Sequence, residues 1–278
     1  MIKSKTIFAS FALVGALFLP LGAAAAESGT SVEPKFLNWS FGGLFGTYDT
    51  NQLRRGFQVF QEVCSSCHSA KLLAFRNLSE PGGPAYSEAQ IKALAATFTI
   101  ADPSADGGER AGVPSDYWPS PFDTEQDARD ANGGALPPDF SVIAKAREIK
   151  RPFPYWLFNY FTAYQEGGPD YIYNLMVNYH DTPADVTIPD GKFYNAFFAN
   201  NAISMPPPLQ DELVTYEGTG VPLTVDQYAK DVSAFLMWVS EPHLVERKEL
   251  GFKVLIFLVL LAGLMYMVKR KLWANIPH

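Results

Sequence analysis

Apolar residues recur at helical spacing near both ends of the mature chain. Leu53, Phe57, Phe60 and Cys64 fall three or four residues apart, on one face of a helix that Asp49 or Thr50 can cap. Val225, Tyr228, Val232, Phe235, Leu236 and Val239 repeat the pattern. They follow Thr224 and Gln227, which have the spacing of a capping box. Ser87 with Gln90 sets up another capped helix, to about Thr97. Pro154 opens an aromatic helix, Tyr155 to Gln165, that Gly167-Gly168-Pro169 should stop. Short helices are expected from Asp170 to Val177 and, after Pro137-Pro138-Asp139, up to about Arg147. Breakers separate these stretches. Pro81-Gly82-Gly83-Pro84 interrupts the chain, and His180 to Gly191 is loop. Phe193, Phe197 and Phe198 suggest a short apolar turn before Asn200-Asn201. Asp102 to Gly134 reads as one long irregular segment, a length usually functional or disordered. From Trp39 to Gly46 aromatics alternate with glycines, as in an arm laid closely over something bulky. The chain is therefore mainly α with long loops, and no internal repeat is visible.

The two ends carry longer apolar runs. Lys3 and Lys5 precede Ile7 to Leu19, then Pro20, Gly22 and Ala24-Ala25-Ala26. That is the layout of a secretory leader, residues 1–26, cleaved after Ala26. Val254 to Val268 carries no charge; begun at Leu250 the run spans about 28 Å as helix, close to a hydrocarbon core of roughly 30 Å. Lys253 would then snorkel to the near interface. Lys269-Arg270-Lys271 and Trp273 follow directly, and positive charge marks the cytoplasmic side. The expected organisation is an exported domain over 27–241, an anchor over 242–273 with its apolar span at about 250–268, and a cytoplasmic tail over 274–278. Pro242 marks the break between domain and anchor.

Composition changes this picture little: 47% hydrophobic, 18% charged. Aromatics reach 14%, which suits a wall around a flat apolar cofactor. A net charge of -7 makes nucleic acid an unsuitable partner.

Chemistry concentrates at Cys64-Ser65-Ser66-Cys67-His68. Two cysteines two residues apart, followed at once by histidine, have the spacing of a c-type haem attachment site. Each thiol can add to a vinyl group, and the adjacent imidazole can bind the iron. A zinc site would need two more ligands, and the chain has only these two cysteines and four histidines. A redox dithiol should open a helix after a strand, whereas this motif closes a helical run. For a sixth ligand, Met1 lies in the leader and Met265 and Met267 in the span. Met176 and Met237 sit in helical runs and read as core packing. His180 lies in a polar loop, His243 beside Pro242, and His278 beyond the anchor. Met205 stands apart in Ile203-Ser204-Met205-Pro206-Pro207-Pro208. The prolines stiffen an extended loop that can hold a thioether at an iron; an exposed Met in a Pro-rich turn is the alternative.

With these parts placed, the chain resembles the cytochrome c1 family, the c-haem subunits of the quinol–cytochrome c oxidoreductase (cytochrome bc1) complex. The matching stretches are Arg54 to Phe60, Val63 to Ser69, Ala128 to Ser141, Ile203 to Leu209, and Ala229 through the anchor. The resemblance implies a class I cytochrome c-like domain with one covalently bound haem c, and one C-terminal transmembrane helix. It implies Cys64 and Cys67 as attachment points and His68 and Met205 as axial ligands. It places Arg129 against a haem propionate; a surface ion pair is the alternative for that residue. It implies cytochrome b and a Rieske iron–sulfur protein as partners, a soluble cytochrome c as acceptor, and a bacterial inner membrane with the haem domain in the periplasm. Many bacterial members of the family add a disulfide near the Met ligand, and this chain has no cysteines for one.

Electron relay is the function this implies, with no substrate bond made or broken in the subunit. A haem peroxidase or sensor would need an open sixth position and distal acid–base groups, and His180 is the one free histidine before the pre-anchor segment. A c-haem subunit of another respiratory complex would differ in its companion subunits. The acidic segment Asp102 to Asp130 carries eight acids against Arg110 and Arg129. It is either a solvated loop or a surface that steers a basic partner.

Overall fold

A computed structural model describes residues 32–275 apart from 217 and 219, with the side chain of residue 160 also left undescribed. The expected leader over 1–26 and the end of the tail lie outside the described residues. Eight α-helices and two small antiparallel ribbons occupy the described residues.

Helix α1, Thr50–Glu62, starts where Asp49 Oδ1 accepts from the backbone of Asn51 and Gln52 at 2.8 and 3.1 Å, relieving two of the orphan donors of the first turn. It buries Leu53, Gly56, Phe57, Val59 and Phe60. Helix α7, Val225–Ser240, crosses it at Gly56. A Cβ on Gly56 would lie 2.1 Å from the Asp231 carbonyl oxygen and 2.7 Å from Phe235 Cβ, so only glycine lets the helices approach this closely. Arg55 clamps the crossing with two bonds to Asp231, 2.8 and 3.0 Å. Phe57 and Phe60 each meet Phe235 at 5.6 Å between ring centroids. Helix α7 is buried over most of its circumference, including Met237 and Trp238, as befits the central element. Thr224 caps it, but the Gln227 side chain turns to Asp231 at 3.0 Å. The expected capping box is therefore half made.

Around this pair lie α2, Glu88–Ala95, with its full capping box from Ser87 and Gln90, and the short α4, Ile143–Ala146. Helix α6, Gly167–Val177, packs on α7. Two expectations are corrected here. Gly167-Gly168-Pro169 does not end the aromatic helix α5, Tyr155–Thr162; it forms the first turn of α6. Pro169 is tolerated there because first-turn amides lack helical partners. Gly168 packs so closely that a Cβ would lie 1.6 Å from the Ala144 carbonyl oxygen. The segment from Asp102 to Gly134 is not irregular throughout. It holds a strand of the ribbon β1, Thr99–Ala101, with β2, Glu109–Ala111, and then helix α3, Glu125–Ala131, capped reciprocally by Thr124 and Asp127. Arg110 orders the ribbon by bonding Asp102 at 2.8 Å and Asp116 at 2.6 and 2.9 Å, which holds the Asp116 carboxyl at about 2, well below the usual carboxylate range.

The N-terminal arm lies on α6. Asp170, fully buried, accepts from Trp39 Nε1 at 2.8 Å, from the Leu37 amide at 3.0 Å and from Tyr164 Oη at 2.6 Å. A second ribbon pairs β3, Phe193–Tyr194, with β4, Ala202–Ile203. Beyond Glu241 the chain turns into α8, Leu244–Trp273. At thirty residues this helix spans about 45 Å. It is long and apolar enough to cross a membrane, and no residue of its apolar window is buried in the protein.

Candidate haem site

The end of α1 delivers the cysteines. The chain tightens there into one 3₁₀ turn, Cys64–Ser66, and the amides of Cys67 and His68 both bond back to the Cys64 carbonyl, at 3.2 and 2.9 Å. Cys64, Cys67 and His68 are thereby gathered on a single turn. Cys67 is exposed; burial pushes the Cys64 thiol up to about 12. A thiol held so high is the reverse of the depressed pKa a redox dithiol uses.

His68 is oriented by a segment seventy residues away. Its Nδ1 donates to the Pro138 carbonyl at 2.8 Å, which leaves Nε2 as the free ring nitrogen. The imidazole stacks on Phe140, with centroids 4.0 Å apart and planes 17° apart. Burial lowers its pKa, opposed by the Pro138 bond and by Asp139. It is therefore neutral at neutral pH, the form that ligates iron.

Asp139 holds the Pro138 segment in place. One carboxylate oxygen accepts from Ser69 Oγ and the Lys71 amide at 2.8 and 2.9 Å, the other from the Ser141 amide at 2.8 Å. Burial alone would raise its pKa, but the bonds from Ser141, Lys71 and Ser69 outweigh burial and keep it low. The Phe140 amide donates to the Ser69 carbonyl at 2.7 Å, and the Leu72 amide to Ser141 Oγ at 3.0 Å. Pro138, Asp139 and Phe140 are thus positioning residues for His68. Their role is not legible in sequence, because nothing local says which carbonyl an imidazole will find.

Met205 follows β4 at the start of the proline run. Its carbonyl accepts from Tyr179 Oη at 3.1 Å. Asn195 ties the same ribbon to α6 through the Leu175 carbonyl at 2.8 Å. Met205 is half-buried, and among the described residues no hydrogen bond or ring contact joins it to the His68 cluster. Tyr179 and Asn195 carry no motif, so the residues around the Met loop were not legible in sequence. Arg129 is exposed on α3. It bonds the Gly134 carbonyl at 3.3 Å and, among the described residues, pairs with no carboxylate. His180 and His243 are exposed, and Met176 and Met237 pack in helices, as expected.

The donor set fits a haem better than a bare ion. Among the described residues no group of three or more His, Cys, Asp or Glu side chains could hold a metal. What the site offers is two thiols at attachment spacing and one neutral imidazole with a free nitrogen. A mainly helical domain bearing that turn and continuing into one long apolar helix defines the class of membrane-tethered c-type haem proteins. The Cytochrome C1 family model matches residues 39–276, so the chain belongs to the cytochrome c1 family. It is 46% identical over 269 residues to cytochrome c1 of Blastochloris viridis, covering 95% of this chain and 94% of that one. It is 42% identical over 287 residues to cytochrome c1 of Rhodospirillum rubrum, covering 96% and 97%. It is 52% identical over 266 residues to the cytochrome b/c1 of Bradyrhizobium diazoefficiens. That match covers 94% of this chain but 38% of the relative, so the chain spans well under half of that longer protein.

Proposed function

We propose that this chain carries one haem c in a cytochrome bc1 complex, receiving electrons singly from a Rieske iron–sulfur protein and passing them to a soluble cytochrome c. The oriented, neutral His68 beside Cys64 and Cys67 is the observation that carries the reading. Membership of the cytochrome c1 family supports electron transfer as the activity. When bound, the haem supplies the one-electron couple, and His/Met ligation raises its potential. Cys64 and Cys67 would hold it through their thiols. His68 Nε2, on a ring kept neutral by burial and aimed by Pro138, would bind the iron. Met205, presented by a proline-stiffened loop, would supply a second iron ligand. Arg129, unpaired with any described carboxylate, would pair with a propionate. No substrate bond changes in this subunit; its redox step is one part of quinol–cytochrome c oxidoreductase turnover.

Helix α8 tethers the domain to cytochrome b in a bacterial inner membrane. The haem domain lies on the periplasmic side, and Lys269-Arg270-Lys271 lie on the cytoplasmic side. The deciding experiment uses native membranes. Quinol should reduce the c-type haem, and oxidised soluble cytochrome c should then reoxidise it. A haem that ignores cytochrome c but binds carbon monoxide and turns over peroxide would overturn the relay reading.

A further inference from the structure

Helix α5 is mostly apolar and aromatic, yet apart from half-buried Asn159 the domain leaves its described side chains exposed. Tyr155, Trp156, Leu157, Phe158 and Phe161 are all exposed, as is Phe153 just before it. Phe153 and Phe161 are 77% and 75% exposed. A helix apolar around its circumference belongs in a core or a membrane, and a contiguous exposed aromatic surface marks an interaction site.

The position of α5 identifies what covers it. The neck of its loop is closed by the Ile149 amide bonding to the Gly167 carbonyl at 2.9 Å and by Arg151 lying 3.5 Å over the Tyr164 ring. Beside that neck stand the first turns of α8. Arg247 Nη2 donates to Gln165 Oε1 at 2.6 Å, and Lys248 Nζ to the Phe41 carbonyl at 2.6 Å. The arm between them adds two more apolar groups, Leu44 and Phe45, both exposed. Phe45 meets Phe252 on α8 edge-on, with ring centroids 5.4 Å apart. The Gly43 amide bonds Glu166 at 3.2 Å, fixing this arm to the neck. The aromatic helix is therefore tied to the level at which the apolar span begins.

We infer that α5, with Leu44 and Phe45, lies in the headgroup–acyl boundary of the bilayer that α8 crosses, as a second, non-spanning attachment of the domain. At eight residues, about 12 Å, it is too short to cross. Its mixture of Trp, Tyr and Phe is that of interfacial belts. Arg147 and Lys150, exposed just before it alongside Glu148, suit anionic headgroups. A partner protein's groove would cover one stripe of a helix; a lipid boundary accommodates apolar groups pointing down and sideways together.

The inference rests on α8 crossing the membrane, and the test separates the two. A phospholipid bearing a diazirine near the glycerol end of one acyl chain is added to native membranes containing the intact complex. After illumination, the peptides carrying lipid are mapped by mass spectrometry. Adducts are expected on residues 152–163 as well as along α8. Replacing Trp156 and Phe158 by Glu should cut the α5 adducts by about five-fold or more, as charge at an interface predicts, and leave those on α8 unchanged. Adducts on α8 alone overturn the inference while leaving the span in place. Cross-links from Lys150 to another subunit in place of lipid adducts overturn it in favour of a protein partner. No adducts on either helix overturn it together with the span.

Discussion

Pro138, Asp139 and Phe140 act on His68 from three directions: an acceptor for Nδ1, a carboxylate that fixes the acceptor's segment, and a ring against one face. Met205 has the opposite kind of support. Its loop is braced through its backbone by Tyr179 and by the stiffness of the prolines. If Met205 ligates the iron as proposed, Met205→Leu should keep the haem attached while opening the iron. The potential should fall by on the order of 100 mV, within the roughly 0.8 V range that axial ligands set, and carbon monoxide should bind. Redox titration with carbon monoxide difference spectra checks this. An unchanged potential without binding would assign the ligand elsewhere.

Between elements, the α1–α7 crossing depends on the missing side chain at Gly56. The first atom a Cβ would meet is backbone, the Asp231 carbonyl oxygen at 2.1 Å, and backbone cannot swing aside as a flexible side chain does. Gly56→Ala should force α1 and α7 apart and cost about 1–3 kcal/mol, typical of overpacking. Thermal unfolding of the purified chain reads the loss, and an unchanged midpoint would show that the helices can separate cheaply.

The joint between α7 and α8 depends on charge. Glu241 is bonded by Lys145 and Arg247. Burial tends to raise its pKa, but those bonds win and hold it below its ordinary value. A depressed carboxylate stabilises the fold above its unfolded pKa, about 4.3, and that contribution is lost as pH falls through the folded value. Protection of the amides of residues 241–247 against hydrogen exchange, corrected for the intrinsic rate, should hold from neutral pH down to about 4.5 and drop below that. Glu241→Gln should be loosened already at neutral pH and show a flatter profile. Identical profiles would mean that packing of Leu244 alone holds the joint.

Over the whole molecule, charge is distributed less simply than the run of acids suggests. Asp102 and Asp116 are engaged by Arg110, and Asp127 caps α3. Five acids remain, Asp106 and Glu109 exposed at the ribbon and Asp123, Glu125 and Asp130 exposed on and beside α3, next to Arg129. If the α3 face steers a basic soluble cytochrome c, replacing Asp123, Glu125 and Asp130 by their amides should slow bimolecular electron transfer several-fold at low salt and flatten its ionic-strength dependence. The haem potential and the quinol side should stay as they were. A wild-type salt dependence in the variant would place the docking charges elsewhere.

Features encoded within a few residues were legible from the chain alone. The Cys64–His68 spacing, the Asp49 and Ser87 caps, the packing faces of α1 and α7 and the apolar run of α8 each depend on neighbours within about two helical turns or one uninterrupted stretch. Features that depend on distant groups were not. Gly167-Gly168-Pro169 carries every local signal of a stop. It instead opens a helix because Ala144 presses against Gly168 and the Asp170 carboxylate gathers donors from Leu37 and Trp39. Gln227 leaves its cap for Asp231, where Arg55 has already concentrated charge. The acid-rich segment folds into a ribbon because one arginine satisfies two of its carboxylates. Sequence alone determined that an imidazole follows two thiols at haem-attachment spacing and that one helix is apolar enough to span a membrane. The tertiary structure decided which nitrogen of that imidazole is free, because the Pro138 carbonyl that takes the other lies seventy residues away.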